Sequence, residues 1–493
     1  MKNNPIIAGN NPDPSICRKG DTYYIAVSTF ELFPGIALYQ SNDLDEWSFV
    51  GYALTRQSQL DLSSSRNSGG VYAPTLRYHN KKFYLIFTNT SIPGNYIVTA
   101  SDITGPWSDP LFVAPNGIDP SLFWEDDDAL FYCSNGKIDG KRGIIGFYID
   151  EKTGKPLTEA TLISPGCGGP AVEGPHIFKK DGYYYLLTAE GGTEYGHHEC
   201  IARAKCITGP YTHAENPVIL SHQNRKNFPI QGTGHADFFI DKEGNWKAVF
   251  LGFRNFGHPL LHNLGRETFI APVEWTDEGW PLVGNNGTIE MGENMLHPRE
   301  SHTTIPFDDH FLSSGIEAVR QFRTENYDLH ASLHQLRITD TKKDPLFPSL
   351  LLLRQTSFQQ IFSTSAQVGS AAEGYGITAF YNSDYHYDLV IEGTSLCLYS
   401  TVHAITALVE KKVLSANTGD EVQLTIHADT KGYRFSYGEG QEEAWFTTQL
   451  PIAGLCTEGT MYMTFTGVMF GLFAIGGTAT FSNGLSVSCP VLA

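Results

Sequence analysis

The 493-residue chain carries 34 Lys and Arg against 53 Asp and Glu, a formal net charge of -19, with 41% hydrophobic and 12% aromatic residues. That acidic balance argues against nucleic acid or an anionic membrane surface as a partner, since both are held by clustered Lys and Arg, and it suits a neutral or cationic ligand. No apolar run approaches the roughly 18 residues that suggest a membrane span, and "MKNNPIIAGNNPDPS" lacks the apolar core of a signal peptide, so the expected location is the cytoplasm.

In chain order, short runs of β-branched and aromatic residues alternate with clusters of Gly, Pro, Asn and Asp. No long stretch has helical periodicity, so an all-β chain is predicted. One pattern recurs five times: "NPDPSICRKGDTYYIAVS" from Asn11, "VYAPTLRYHNKKFYLIFT" from Val71, "GIDPSLFWEDDDALFYCS" from Gly117, "AVEGPHIFKKDGYYYLLT" from Ala171 and "GTGHADFFIDKEGNWKAVF" from Gly232. Each begins with a polar or aromatic residue near a proline or small residue, then reads strand, polar turn, aromatic strand. A second half-unit follows each: "LYQSNDLDEW", "VTASDITGPW", "GFYIDEKTGKP", "ARAKCITGPY" and "APVEWTDEGWP". About four strands per unit, repeated five times over residues 1–300, predict a five-bladed β-propeller.

Near residue 300 the repeat stops, and "NMLHPRESHTTIPFDDHF" reads as a linker. Beyond it, "YGITAFYNSDYHYDLVIE", "EVQLTIHA", "YRFSYGE", "MYMTFTGVMFGLFAIG" and "GTATFSNGLSVS" alternate between apolar and polar positions and end in turn residues, which predicts a β-sandwich over 301–493. The eight cysteines, at 17, 133, 167, 200, 206, 397, 456 and 489, form no CxxC pair and are expected to be buried free thiols.

In a propeller the innermost strands line one channel, so equivalent points of the units converge. Asp13, Tyr72, Asp119, Glu173 and His235 are therefore expected to meet there. Asp13 and Asp119 directly precede prolines, while Tyr72 and Glu173 stand two residues before one. A residue before proline is steered out of the α region and the proline has a fixed φ, so these side chains are expected on a stiff backbone. Asp-Pro alone is a common turn, as at Asp109-Pro110 and Asp344-Pro345, but three acids at one point of a repeat suggest a shared site. A calcium cage would draw several oxygens from one tight loop, and no DxDxDG loop is present. Glycoside hydrolysis, by contrast, needs one protonated and one ionised carboxyl astride the scissile bond.

These segments, with "STFELFPG" and "LGRET", resemble family 43 glycoside hydrolases over nearly the whole chain, and more narrowly the bacterial β-xylosidase and α-L-arabinofuranosidase branch. The resemblance implies a five-bladed propeller followed by a lectin-like (concanavalin-type) β-sandwich packed on it, and an inverting mechanism with exo action. It implies Asp13 as general base, Glu173 as general acid, and Asp119 as the acid that raises and orients Glu173. Arg266 would bind sugar hydroxyls and Phe30 would form an aromatic wall. Tyr72 stands where many β-xylosidases of the family have Trp. In "TGVMFG", Met469 and Phe470 occupy the loop that in relatives sends a Phe towards the site. No cofactor is required on this reading, although His235 matches a histidine that in many members holds a calcium ion through water. The expected partners are a small oligosaccharide and further copies of the chain, as a homo-oligomer. Release of single pentoses as a β-1,4-xylosidase leads, with α-L-arabinofuranosidase as alternative or companion. The rival outcomes are a non-catalytic sugar-binding propeller and an endo-arabinanase. Glu199-Cys200 matches an "EC" motif of propeller enzymes acting on fructosides, but their "NDPNG" and "RDP" motifs are missing.

Overall fold

The computed structural model describes residues 4–114, 117–225, 227–292, 300–341, 349–440 and 442–490. They contain strands and short 3-10 turns and, among the described residues, no α-helix. The chain divides into two compact units, residues 1–255 with 266–295, and residues 256–265 with 296–493. The linker expected near residue 300 falls largely on 293–299, outside the described residues.

The first unit contains five antiparallel four-stranded sheets, each built from strands in chain order, with the short strand Leu32–Phe33 left outside the first of them. Their leading strands are Ser15–Lys19, Val71–His79, Ser121–Trp124, Glu173–Lys180 and Ile230–Ile240. These are the five repeats, one to a sheet. Apolar residues fill the space between successive sheets. Ile25, Val27 and Ala37 pack with Val249 and Ile270, and Tyr84 and Ile86 pack with Leu122 and Tyr132. The N-terminal segment is tied to the last sheet: Ile6 N–H donates to the Thr268 carbonyl at 2.9 Å, and the Asn4 amide donates to the Ile270 carbonyl at 2.7 Å. A buried ion pair strengthens that last sheet, with Arg254 Nε and Nη2 at 2.6 and 2.7 Å from the Glu267 carboxylate.

The second unit pairs a six-stranded sheet with a nine-stranded one. Alternation along each strand turns one face inward, so Phe362, Leu424, Ile426 and Phe435 meet Ile377, Leu389, Leu398, Phe470 and Leu472 in one core. Phe470 lies with its ring centroid 5.5 Å from that of Phe362 and 6.4 Å from that of Tyr433. It is a core residue of the sandwich, which replaces the sugar-contacting role expected for it. Met469, one step along the Met469–Ile475 strand, belongs to the opposite face of the sheet.

Residues 256–265 leave the last sheet of the first unit and join the second. The Asn263 amide donates to Tyr433 Oη at 2.6 Å, which donates to Gln355 Oε1 at 2.9 Å. His262 Nδ1 lies 2.6 Å from Glu458 Oε1, and its N–H donates to Oε2 at 3.2 Å. Burial alone would raise the Glu458 carboxyl, but His262 outweighs it and holds the group below its ordinary value. Glu458 therefore stabilises the fold at neutral pH, and that contribution is lost as pH falls through the lowered pKa. Glu458→Ala is expected to cost about 1–3 kcal/mol in denaturant unfolding at pH 7. The cost should shrink towards pH 3, and a loss that is constant with pH would contradict the pairing.

Candidate active site

The starts of the five sheets share an unusual backbone. Asp13, Ala73, Asp119, Gly174 and His235 have φ of 55°, 33°, 57°, 57° and 54°. Asp13 and Asp119 thus lie in the left-handed region, which Asp tolerates better than most residues. The equivalence of the five lead residues is also corrected. Tyr72 and Glu173 sit one residue ahead of the left-handed position, so Ala73 and Gly174 are the true counterparts of Asp13, Asp119 and His235.

Two residues further on, Ser15, Thr75, Ser121, His176 and Asp237 link sheet to sheet. Ser15 Oγ donates to Asp237 at 2.7 Å and accepts from Leu76 N–H at 3.0 Å. Thr75 Oγ1 donates to the Pro120 carbonyl at 2.8 Å, and Ser121 Oγ lies 3.1 Å from His176 Nδ1. Arg77 clamps Asp237 with both Nη atoms, at 2.7 and 3.1 Å. Ala236 N–H donates to Glu199 at 2.9 Å, which joins the fourth sheet to the fifth. This belt closes on itself and fixes the starts of the leading strands.

Above it lie the candidate residues. Arg266 Nη1 donates to Asp13 Oδ1 at 3.0 Å and to Thr193 Oγ1 at 2.8 Å. Ser28 Oγ donates to Asp13 Oδ2 at 2.6 Å and accepts from Ala73 N–H at 2.7 Å. His235 Nδ1 is 3.9 Å from Asp13 Oδ1. Gly174 N–H donates to Asp119 Oδ2 at 3.0 Å, which ties Asp119 to the residue after Glu173. Phe30 lies 5.5 Å from the Arg266 guanidinium carbon and edge-on to Tyr72 at 5.4 Å. The backbone of Phe30 passes so close to Gly70 that a Cβ there would lie 2.1 Å from the Phe30 carbonyl oxygen. Of the expected residues, Asp13, Arg266, His235, Phe30 and Tyr72 are thus joined by contacts among themselves, Asp119 is tied to Gly174, and Glu173 interacts electrostatically with Asp13, Asp119 and Arg266. Ser28 and Thr193 were not foreseen. Each lies next to a foreseen motif, in "VSTFE" and "AEGGTE", but neither carries a charge or a proline to mark it.

The electrostatics separate the acids. Burial alone would raise Asp13, but Arg266 first, then His235 and the Ser28 hydroxyl, hold it below the ordinary carboxylate range. Glu173 is raised to about 7, by burial and then by the negative charge of Asp13, against the pull of Arg266. Asp119 is raised well above its ordinary value by burial, then by Glu173 and Asp13. Asp13 is thus favoured in its ionised form, while Glu173, at about 7, keeps its proton well above the ordinary carboxylate range. Burial depresses His235 below its ordinary value, against the pull of Asp13. Calcium prefers six to eight oxygens. Around His235 stand one ring nitrogen and Asp13, whose oxygens already serve Arg266 and Ser28. An ion there would draw most of its ligands from water.

A low-pKa carboxylate beside high-pKa carboxyls, with a guanidinium and an aromatic wall, is what a glycoside-cleaving site requires. Residues 2–281 match the model of glycosyl hydrolases family 43, and residues 305–484 match the β-xylosidase C-terminal concanavalin A-like domain. The chain belongs to glycosyl hydrolase family 43. It is 35% identical to a non-reducing end α-L-arabinofuranosidase of Bacteroides ovatus, over 97% of this chain and 92% of that one. It is 37% identical to a β-xylosidase of Bacillus subtilis over 68% of each chain. The crystal structure of a xylan β-1,4-xylosidase from Bacillus halodurans superposes with a TM-score of 0.91 at 29% identity, covering 99% of this chain and 100% of that one.

Proposed function

We propose that the protein is an exo-acting, inverting glycoside hydrolase that releases single pentoses from the non-reducing ends of xylan-derived oligosaccharides, with β-1,4-xylosidase as its main activity. The five sheets are taken as the blades of a propeller, with Asp13, Asp119 and Glu173 at its channel. Asp13 accepts a proton from water as that water attacks the anomeric carbon. The glycosidic C–O bond breaks on the opposite face, and the leaving oxygen takes the proton of Glu173. Asp119, itself raised, holds the backbone behind Glu173 and shares the local proton. Arg266, Phe30 and Tyr72 would orient the sugar. The observation that carries this reading is the split between Asp13, held low by Arg266, and Glu173, raised to about 7.

An α-L-arabinofuranosidase activity is the second reading, favoured by the name of the Bacteroides ovatus relative that aligns over nearly the whole chain. The kcat/KM values on 4-nitrophenyl β-D-xylopyranoside and 4-nitrophenyl α-L-arabinofuranoside decide between them. The xyloside is expected to be the better substrate, and the first sugar seen by NMR should be α-xylose. A β-anomer would refute inversion, and a higher value on the arabinofuranoside would reverse the order of the two activities.

A further inference from the structure

Away from the three acids, the fourth sheet carries a second cluster. Glu190 ends the strand Tyr183–Glu190 and pairs across the ladder with His198, while Thr188 pairs with Cys200. Alternation therefore puts Glu190, His198 and Cys200 on one face, and sends Glu199 to the other, where it accepts from Ala236. Over the first face runs the segment that links the strand Thr161–Ser164 to Glu173–Lys180, and it brings Cys167. The ligand atoms of Cys167, Glu190, His198 and Cys200 all lie within 4.8 Å of one another.

The surroundings are arranged around these groups. Glu190 is fully buried. Among the described residues its carboxylate accepts from the N–H groups of Cys167 and Gly169, both at 2.7 Å, and from Thr188 Oγ1 at 3.3 Å, with no Lys or Arg beside it. His198 Nδ1 lies 3.0 Å from the Gly196 carbonyl, with the Gln223 amide at 2.7 Å. With Nδ1 donating to the Gly196 carbonyl and the Gln223 amide turned so that its oxygen faces the ring, Nε2 has its lone pair, the usual arrangement of a metal-binding histidine, whereas donation from the Gln223 NH2 to Nδ1 would place the proton on Nε2. Cys167 and Cys200 are joined as a disulfide, with Cα atoms 6.8 Å apart and 33 residues between them in sequence. This corrects the expectation of free thiols for these two cysteines. The other six are free, five of them buried and Cys206 exposed.

We propose that, with the disulfide reduced, Cys167, Glu190, His198 and Cys200 bind one zinc-type divalent cation. Two thiolates, an imidazole and a carboxylate are a tetrahedral zinc donor set. With Zn–S bonds of about 2.3 Å, the two sulfurs would stand roughly 3.7 Å apart, inside the present envelope. The cation also supplies the positive charge that buried Glu190 lacks. Binding displaces one proton from each thiol. Oxidation by a low-molecular-weight disulfide reverses it: the bound thiolates form the protein disulfide, two small thiols are produced with two protons taken up, and the cation is released. Either form ties the segment leading into Glu173 to the strands flanking Thr193, the partner of Arg266.

The test uses the full chain reduced with a phosphine, desalted, and loaded with Zn2+ or Co2+ without oxygen. Reduced wild type should retain about one zinc per chain after a second desalting and show thiolate-to-cobalt charge-transfer absorption. The oxidised wild type, which differs from it only in this bond, should retain at least tenfold less, as should Cys200→Ser and Cys167→Ser. His198→Gln should weaken retention while keeping the cobalt–thiolate band. A reduced wild type that retains no zinc and shows no such band overturns the proposal. So does retention at the wild-type level by the oxidised chain or by Cys200→Ser.

Discussion

Asp13→Asn is expected to lower kcat on xylobiose and on 4-nitrophenyl β-D-xylopyranoside alike, by about 10³–10⁴-fold, with little change in KM. The amide keeps the shape of the carboxylate and one oxygen, for Arg266, while its NH2 faces the Ser28 hydroxyl, which can turn to accept, and Asn tolerates the left-handed backbone that Asp13 adopts at φ 55°. What it loses is the capacity to take a proton from water. Because attack by water is needed whatever the leaving group, both substrates should suffer equally. A cooperative melt close to that of wild type would show that the loss is chemical. Turnover within tenfold of wild type would remove Asp13 from the role of base.

The second large effect concerns Glu173 and separates it from Asp13. The base must be ionised, so kcat/KM should fall at low pH as Asp13 is protonated, on a limb below the ordinary carboxylate range. The acid must be protonated, so kcat/KM should also fall as pH rises through about 7. Glu173→Gln removes the titrating acid and should abolish that alkaline limb. Its rate penalty should depend on the leaving group, about 10²–10⁴-fold on xylobiose and far less on the nitrophenyl glycoside, whose phenolate leaves without a proton. Equal losses on both substrates, or an unchanged alkaline limb, would assign the acid role elsewhere, with Asp119 the next candidate.

Much of this site could be read from the order of residues, because a five-fold repeat turns sequence position into spatial position. Asp13 and Arg266 are 253 residues apart and form a 3.0 Å hydrogen bond, and the repeat pattern with the family motifs anticipated their meeting. What was not legible had physical causes. The prolines after Asp13 and Asp119 predict a stiff backbone but not the positive φ that both residues adopt. The repeat sets Glu173 level with Asp13 in sequence, whereas the backbone puts Gly174 there. The Cys167–Cys200 bond was missed because the closest pair in sequence, Cys200 and Cys206, lies along one strand and its end, while Cys167 arrives from a neighbouring segment. Phe470 and Met469 are adjacent letters on opposite faces of a strand. Only the register of Met469–Ile475 assigns one of them to the sandwich core. The departure of residues 256–265 to the second unit rests on side-chain pairs such as His262 with Glu458, which no local pattern announces.

The left-handed turn at the head of each sheet bears on how such a chain can change. Asp13, Asp119 and His235 use it to present a functional group, while Ala73 and Gly174 adopt the same turn with almost no side chain. The scaffold thus provides five sockets of one geometry and fills three. A Cβ on Gly174 would sit 3.2 Å from the His235 ring, so that ring would have to shift to admit one. Ala73 already carries a Cβ there but is buried, so a new group at that turn must be small and of a type that tolerates positive φ, Asp or Asn. Such a change would alter the chemistry at the head of a sheet without rebuilding any strand.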